Sequence, residues 1–168
     1  MSDVEMLDGQ PLPQGFGVAT MEEIGRMSGL DYLSGILAGD FPAPPIGRAL
    51  QFRLFEVSEG AVTFTGVPSA DYLNPIGTVH GGYAATLLDS ALACCVQTLC
   101  PVGYASTSIE LKVNFVRPIT PSTGRLFSRA EVVHPGRMIA TSQARLEDEN
   151  GKLFAHGSQT CSIFKIPD

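Results

Sequence analysis

The stretch N-P-I-G-T-V-H-G-G-Y-A-A-T-L-L-D, Asn74 to Asp89, joins a polar, glycine-punctuated turn to an almost wholly apolar segment. Helical character continues to about Leu99, where C-P-V-G stops it. From Tyr83 to Leu99 hardly any polar face remains, which is the pattern of a buried helix. One carboxylate, Asp89, interrupts it. An acid among hydrocarbon must be paired, neutralised or used, because burial costs it its hydration. Gly82, Ala85 and Ala93, its neighbours at i−7, i−4 and i+4, are all small and leave room beside it.

Two readings of Asp89 stand. It is either a helix residue hydrogen-bonded to a nearby hydroxyl at a partly wet interface, or a general base or nucleophile in an apolar pocket. The turn before it favours chemistry. Gly81 and Gly82 fall at the helix N-terminus, where unpaired N–H groups and the helix dipole favour negative charge. Glycine there lets a carbonyl approach the backbone closely, as oxyanion stabilisation requires. Eight residues at 1.5 Å each, however, put Gly81 about 12 Å from Asp89 along the axis, too far for both to act on one carbonyl carbon. If both are catalytic, they come from two subunits of a two-fold dimer with antiparallel helices.

Upstream, residues 1 to 19 form an aperiodic leader, expected to be poorly ordered. A capping box, Thr20 and Glu23, then opens an amphipathic run through Ile24, Met27, Leu30, Leu33, Ile36 and Leu37, which its glycines are expected to break. F-P-A-P-P-I-G, 41 to 47, reads as a connector. Two antiparallel strands follow, 49 to 57 and 61 to 67, joined by S-E-G, with Leu50, Phe52, Leu54 and Glu56 on one face.

Downstream lie four strands, 104 to 117, 124 to 134, 137 to 147 and 153 to 164, with hairpin-length connections. In the first, alternation groups Thr107, Ile109, Leu111, Val113 and Phe115 against Ser108, Glu110, Lys112 and Asn114. The order predicts an α+β fold, an antiparallel sheet of about six strands wrapped on one long central helix. Residues 1–44 form an N-terminal leader and amphipathic helix, and 45–168 form the main domain.

A 168-residue chain with 44% apolar residues is long enough for one substantial core. Its net charge of −6, without a Lys/Arg cluster, argues against nucleic acid as a partner. No apolar run reaches bilayer length and no signal-peptide pattern opens the chain, so the expected location is cytoplasmic, with no membrane partner. Cys94, Cys95, Cys100 and Cys161 lack metal-site spacing and read as buried thiols.

The Asn74 to Asp89 motif, followed by T-S-I-E-L-K-V-N-F-V-R-P, resembles the hot-dog fold thioesterases of the phenylacetate-degradation (PaaI-like) group, which includes the acyl-CoA thioesterase 13 type. The resemblance covers roughly residues 45 to 165. It implies a homodimer, usually a dimer of dimers, that hydrolyses acyl- or aryl-CoA thioesters without a metal. No cofactor is implied, coenzyme A being part of the substrate. It further implies Asp89 as general base or nucleophile, Gly81 as the oxyanion N–H and Asn74 as the residue that positions water or carbonyl. Ser108 matches a serine that orients water in some members, although the pleat places Thr107 on the face with Ile109 and Leu111. Arg117, and Gly136 with Arg137 in H-P-G-R-M, stand where such proteins contact the coenzyme; a guanidinium suits phosphate, and a solvated turn arginine is the alternative. His80, beside the helix start where the dipole favours a neutral imidazole, hydrogen-bonds backbone across the dimer, or serves as base in a hot-dog hydratase or dehydratase acting on enoyl-CoA. A non-catalytic acyl-CoA-binding module is the third possibility. Tyr83, Phe115, Ala85 and Ala93 are candidates to shape the pocket.

Overall fold

The computed structural model describes residues 5–7, 10–12 and 14–167. Its centre is α4 (Gly81–Gln97), laid across an antiparallel sheet. The sheet contains β3 (Phe52–Ser58), β4 (Ala61–Gly66), β5 (Tyr104–Phe115), β6 (Leu126–His134), β7 (Ile139–Asp148) and β8 (Leu153–Lys165). Their spatial order is β3-β4-β6-β7-β8-β5. This is the expected α+β architecture, with one difference in connectivity. Of the four strands after α4, only β6, β7 and β8 run as successive hairpins, whereas β5 crosses to the far edge and pairs with β8 alone. The segment from 116 to 125 makes that crossing, with a 3₁₀ turn at Pro121–Thr123 inside it.

On α4, Tyr83, Ala84, Leu87, Leu88, Ala91, Leu92, Cys95 and Val96 are buried. They meet Phe64, Leu126, Ala144, Leu146 and Ala155 from the sheet in one apolar core. The helix is not buried all round. Gly82, Ala85, Thr86, Asp89, Ser90, Ala93, Cys94 and Gln97 form a second stripe that is half-buried or exposed. Hydropathy hid this stripe because alanine, glycine and cysteine score as apolar wherever they point.

Two bulges reset faces that strict alternation assigned otherwise. In β3 the pairing slips between Leu54 and Glu56, so Val57 packs toward the core and Glu56 is exposed. In β5 it slips between Ser108 and Glu110, with the consequence described below. The start of β3 also differs from expectation. Residues 45 to 50 form α3 (Pro45–Leu50), with proline at its first position, and Gln51 in the left-handed region turns the chain into the strand.

The N-terminal portion adds more structure than its composition suggested. The described part of the leader holds a two-stranded ribbon, β1 (Glu5–Leu7) and β2 (Gln10–Leu12), and Leu7 is buried against the Gly47 region. Three-residue strands carry no period to read. The rest of the sequence expectation for residues 1 to 13 lies outside the described residues. Thr20 and Glu23 form the capping box of α1 (Met21–Gly25). The amphipathic run is broken as expected, and α2 (Gly29–Ala38) restarts under a Ser28 cap.

Gly29 sets how α2 meets α4. Its N–H donates to Cys100 O at 2.9 Å, and a Cβ there would lie 1.8 Å from Gln97 O. The two backbones touch, and no side chain fits between them. Gly29→Ala is therefore expected to lower unfolding stability by about 1–3 kcal/mol, the range for overpacking, as read by urea denaturation.

Candidate active site

Asp89 projects from the half-buried stripe of α4 toward the β5–β8 edge of the sheet. Its Oδ1 accepts from Ser108 Oγ on β5 at 3.2 Å and from Gln159 Nε2 on β8. Both donors fall on one oxygen, and no described residue donates to Oδ2. The carboxylate is thus clamped through Oδ1 and presents Oδ2.

Ser108 reaches the acid because of the bulge at Ile109. Before the bulge Ser106 and Ser108 face α4; after it, Val113 packs on the core. The alternation that assigned Thr107 to this face held only for a strand without an extra residue. Gln159, 1% exposed, was not singled out from the sequence at all. A signal for it existed. Ala155, Gly157, Gln159 and Cys161 alternate inward along β8, all buried, and only one of them carries an amide. A buried amide requires partners: its Nε2 donates to Asp89 Oδ1, and its Oε1 accepts from Cys161 Sγ at 3.5 Å.

At the start of α4, His80 is the N-cap. Its Nδ1 accepts from Gly82 N–H at 2.9 Å, and its carbonyl accepts from Tyr83 N–H at 3.0 Å. Of the first three helix N–H groups, that of Gly81 alone has no acceptor among the described residues. The ring of Phe115 lies over Gly81, 3.0 Å from where a Cβ would stand, so a side chain there would push the exposed ring outward by a few tenths of an ångström. Within one protomer Gly81 lies beside Phe115 and Asp89 beside Ser108, seven residues apart along β5. The continuous helix keeps them about 12 Å apart.

Asn74 is engaged in its own loop. Its Nδ2 donates to Thr78 Oγ1 at 2.8 Å, and its Oδ1 accepts from the N–H groups of Ile76 and Thr78. The loop is anchored to the helix start through His80 N–H, which donates to Tyr72 O at 2.7 Å. Arg117 donates from Nη1 to Leu153 O at 2.6 Å, at the start of β8. Arg137, after Gly136 in the β6–β7 turn, is exposed at the opposite end, where Met138 O receives Ile163 N–H. Ten residue steps along β8 separate the two levels, Leu153 and Ile163, about 33 Å at 3.3 Å per residue, so one chain cannot bring both arginines to a single phosphate group. Of the residues expected to shape a pocket, Ala93 lines the cavity described below. Tyr83 instead stacks on Tyr72, ring centroids 5.1 Å apart.

The comparisons agree with this architecture. A family model, the thioesterase superfamily, matches residues 76–155. Human acyl-coenzyme A thioesterase 13 is 27% identical over 115 residues, covering 66% of this chain and 78% of that protein. A phenylacetic acid degradation-related protein of Ralstonia eutropha JMP134 superposes with a TM-score of 0.71 at 29% identity, over 78% of this chain and 98% of the other. A variant of the phenylacetic acid degradation protein PaaI from Thermus thermophilus superposes at 0.63 with 30% identity, over 70% of this chain and 97% of that one. The chain belongs to the thioesterase superfamily. Within it, this is a PaaI-like hot-dog protein.

In this thioesterase-family member two thiols, Cys94 and Cys161, feel the charge of Asp89. Cys94, half-buried on the α4 stripe, has its thiol pushed up to about 12 by burial first, then by Cys95, Asp89 and Cys161. Burial likewise raises Cys95 to about 12 and Cys161 to about 11. At neutral pH these are thiols, poor nucleophiles beside a carboxylate. No group of three or more metal-ligating side chains occurs among the described residues, and no helix there is long and apolar enough to cross a membrane.

The raised thiols fix a pH dependence. Unfolded cysteines ionise near pH 8.5 to 9, while the folded ones hold their protons to about pH 11 to 12. The folded state binds more protons in that window, so stability is fully present below pH 8 and falls as pH rises beyond 9. Denaturant midpoints measured from pH 7 to 10.5 should decline above pH 9, and Cys94→Ala should flatten the decline.

Proposed function

We propose that the protein hydrolyses acyl-CoA or aryl-CoA thioesters at sites shared between two subunits. Asp89 acts as general base in one subunit, and the Gly81 N–H of the other stabilises the oxyanion. The observation that carries this reading is the pairing of a clamped carboxylate with an uncapped N–H on one rigid helix, about 12 Å apart.

Oδ2 takes a proton from water while the water oxygen attacks the thioester carbonyl carbon. The carbonyl electrons move to oxygen, where the helix N-terminus and the Gly81 N–H receive the charge. Collapse of the intermediate breaks the carbon–sulfur bond, and the CoA sulfur leaves as thiolate and is reprotonated. Ser108 and Gln159, by holding Oδ1, keep the acid still. A base works at hydrogen-bond distance, whereas direct attack would require the clamped carboxylate to reach bonding distance. This favours water activation over an anhydride intermediate.

Two features support a dimer. β5 is an edge strand paired on one side only, and it carries exposed Ile109, Leu111 and Phe115. The small-residue stripe of α4 lies on the same flank. A dimer of dimers, a coenzyme contact from Arg117 or Arg137, a water- or carbonyl-positioning role for Asn74 and a cytoplasmic location are further parts of the proposal. The division at residue 44 is also proposed, residues 1–44 being an accessory to the 45–168 catalytic unit.

Asp89→Asn should lower turnover about 10²- to 10⁴-fold, the range for a lost general base, with an unchanged circular dichroism spectrum. Free thiol release from a panel of acyl-CoA thioesters measures it, and near-normal rates would sink the assignment. A mixed-subunit experiment tests the sharing. Gly81→Pro removes the N–H at a helix position that tolerates proline. Co-folding it with Asp89→Asn should restore about a quarter of wild-type activity, since half the dimers are mixed and each has one intact site. No restoration would overturn the shared site.

A further inference from the structure

A cavity of about 670 Å³ lies beside the site, and most of its wall comes from residues 12 to 47. The N-terminal segment contributes Met21, Ile24, Leu33, Ile36 and Leu37; α4 contributes Ala93, Cys94 and Gln97; β5 contributes Ala105, Ser106 and Thr107. We propose that this cavity receives the acyl group of the thioester, and that the N-terminal segment is the element that sets which acyl groups are accepted. This rests on the reading of Asp89 as the hydrolytic centre.

Continuity with the acid is the first support. Ala93 is one helical turn beyond Asp89 on the same stripe, and Ser106, two residues before Ser108 on the α4-facing side of β5, donates to Gln97 as Ser108 donates to Asp89. The cavity therefore begins where the reacting carbonyl would sit and extends toward Gln97, about 12 Å further along α4. Its chemistry is the second. Among the described residues, Arg53 is the one Lys, Arg, Asp or Glu in the wall, and its guanidinium donates to Leu54 O and lies over the Phe55 ring. Nothing else there compensates a charged substituent, so an apolar acyl group is selected.

Size narrows the class. The volume is within the range of about 300–1,000 Å³ for small-molecule sites. A cavity of about 150 Å³ suffices for benzene, so a single aryl ring would leave most of this one empty. An extended alkyl chain fills it better. The cavity owes its shape to the docking of α2 on α4 at Gly29, so a chain lacking residues 12 to 47 would retain the acid and lose this wall.

The test uses Leu37→Trp, which fills the cavity from a wall position that is 42% exposed and so tolerant of substitution. Thioesters from acetyl- to palmitoyl-CoA are assayed with wild type and variant. The expected result is a loss of about tenfold or more in kcat/KM for the longest chains, with acetyl-CoA within about twofold. Binding of dodecanol, followed by calorimetry, should weaken in parallel. An unchanged chain-length profile in a folded variant overturns the cavity and leaves the hydrolase reading intact. If wild type hydrolyses no thioester, the hydrolase reading fails and dodecanol decides alone. No binding, or equal binding by both proteins, then overturns the cavity. Should Leu37→Trp not fold, Val18→Trp, 76% exposed on the same cavity, replaces it under the same criteria.

Discussion

The distance between the first N–H of α4 and its only carboxylate cannot be closed by any rotamer, because both are fixed to one straight helix. Hydrogen bonding fixes the ends further. His80 occupies the second and third N–H groups and leaves the first, while Ser108 and Gln159 occupy Oδ1 and leave Oδ2. Each end of the helix segment thus exposes one reactive group and neutralises its neighbours. On the proposed reading, a single helix built this way supplies two half-sites, and two-fold pairing is the simplest operation that would complete both.

The sheet serves that arrangement through its edge. β5 comes first after α4 in sequence but last in the sheet, and it holds Phe115 against Gly81 and Ser108 against Asp89. One strand therefore lines both half-sites, and its bulge at Ile109 lies between them. Without the bulge, a strand that puts Phe115 inward would put Ser108 outward. With it, both face the helix.

This explains what was legible in the sequence. The helix, its stop at C-P-V-G, the broken capping-box helix and the six strands follow from period and punctuation, which are local. Asp89 was legible as a carboxylate in the wrong company. The Ser108 contact was not, because a bulge is a register relation between β5 and β8 and leaves no mark in β5 alone. Gln159 was hidden for a related reason: a buried amide in a strand looks like any polar residue until its partner is known. The outer stripe of α4 escaped because small residues do not distinguish core from interface. The β1–β2 ribbon and α3 escaped because they are shorter than the period needed to detect them.

The N-terminal segment couples to α4 through backbone contacts as well as through side chains. Gly29 rests on Gln97 O and donates to Cys100 O, Leu33 enters the common core, and Gly103 N–H donates to Gly25 O. Backbone contacts of this kind do not adjust by changing rotamer, so the wall that α2 presents is fixed relative to α4. Because Asp89 and Ala93 ride on that same helix, any shift of α2 moves the cavity wall relative to the acid. On the proposed reading, selection among acyl groups and placement of the reacting carbonyl both depend on this one helix–helix contact, and a substitution at Gly29 would disturb both together.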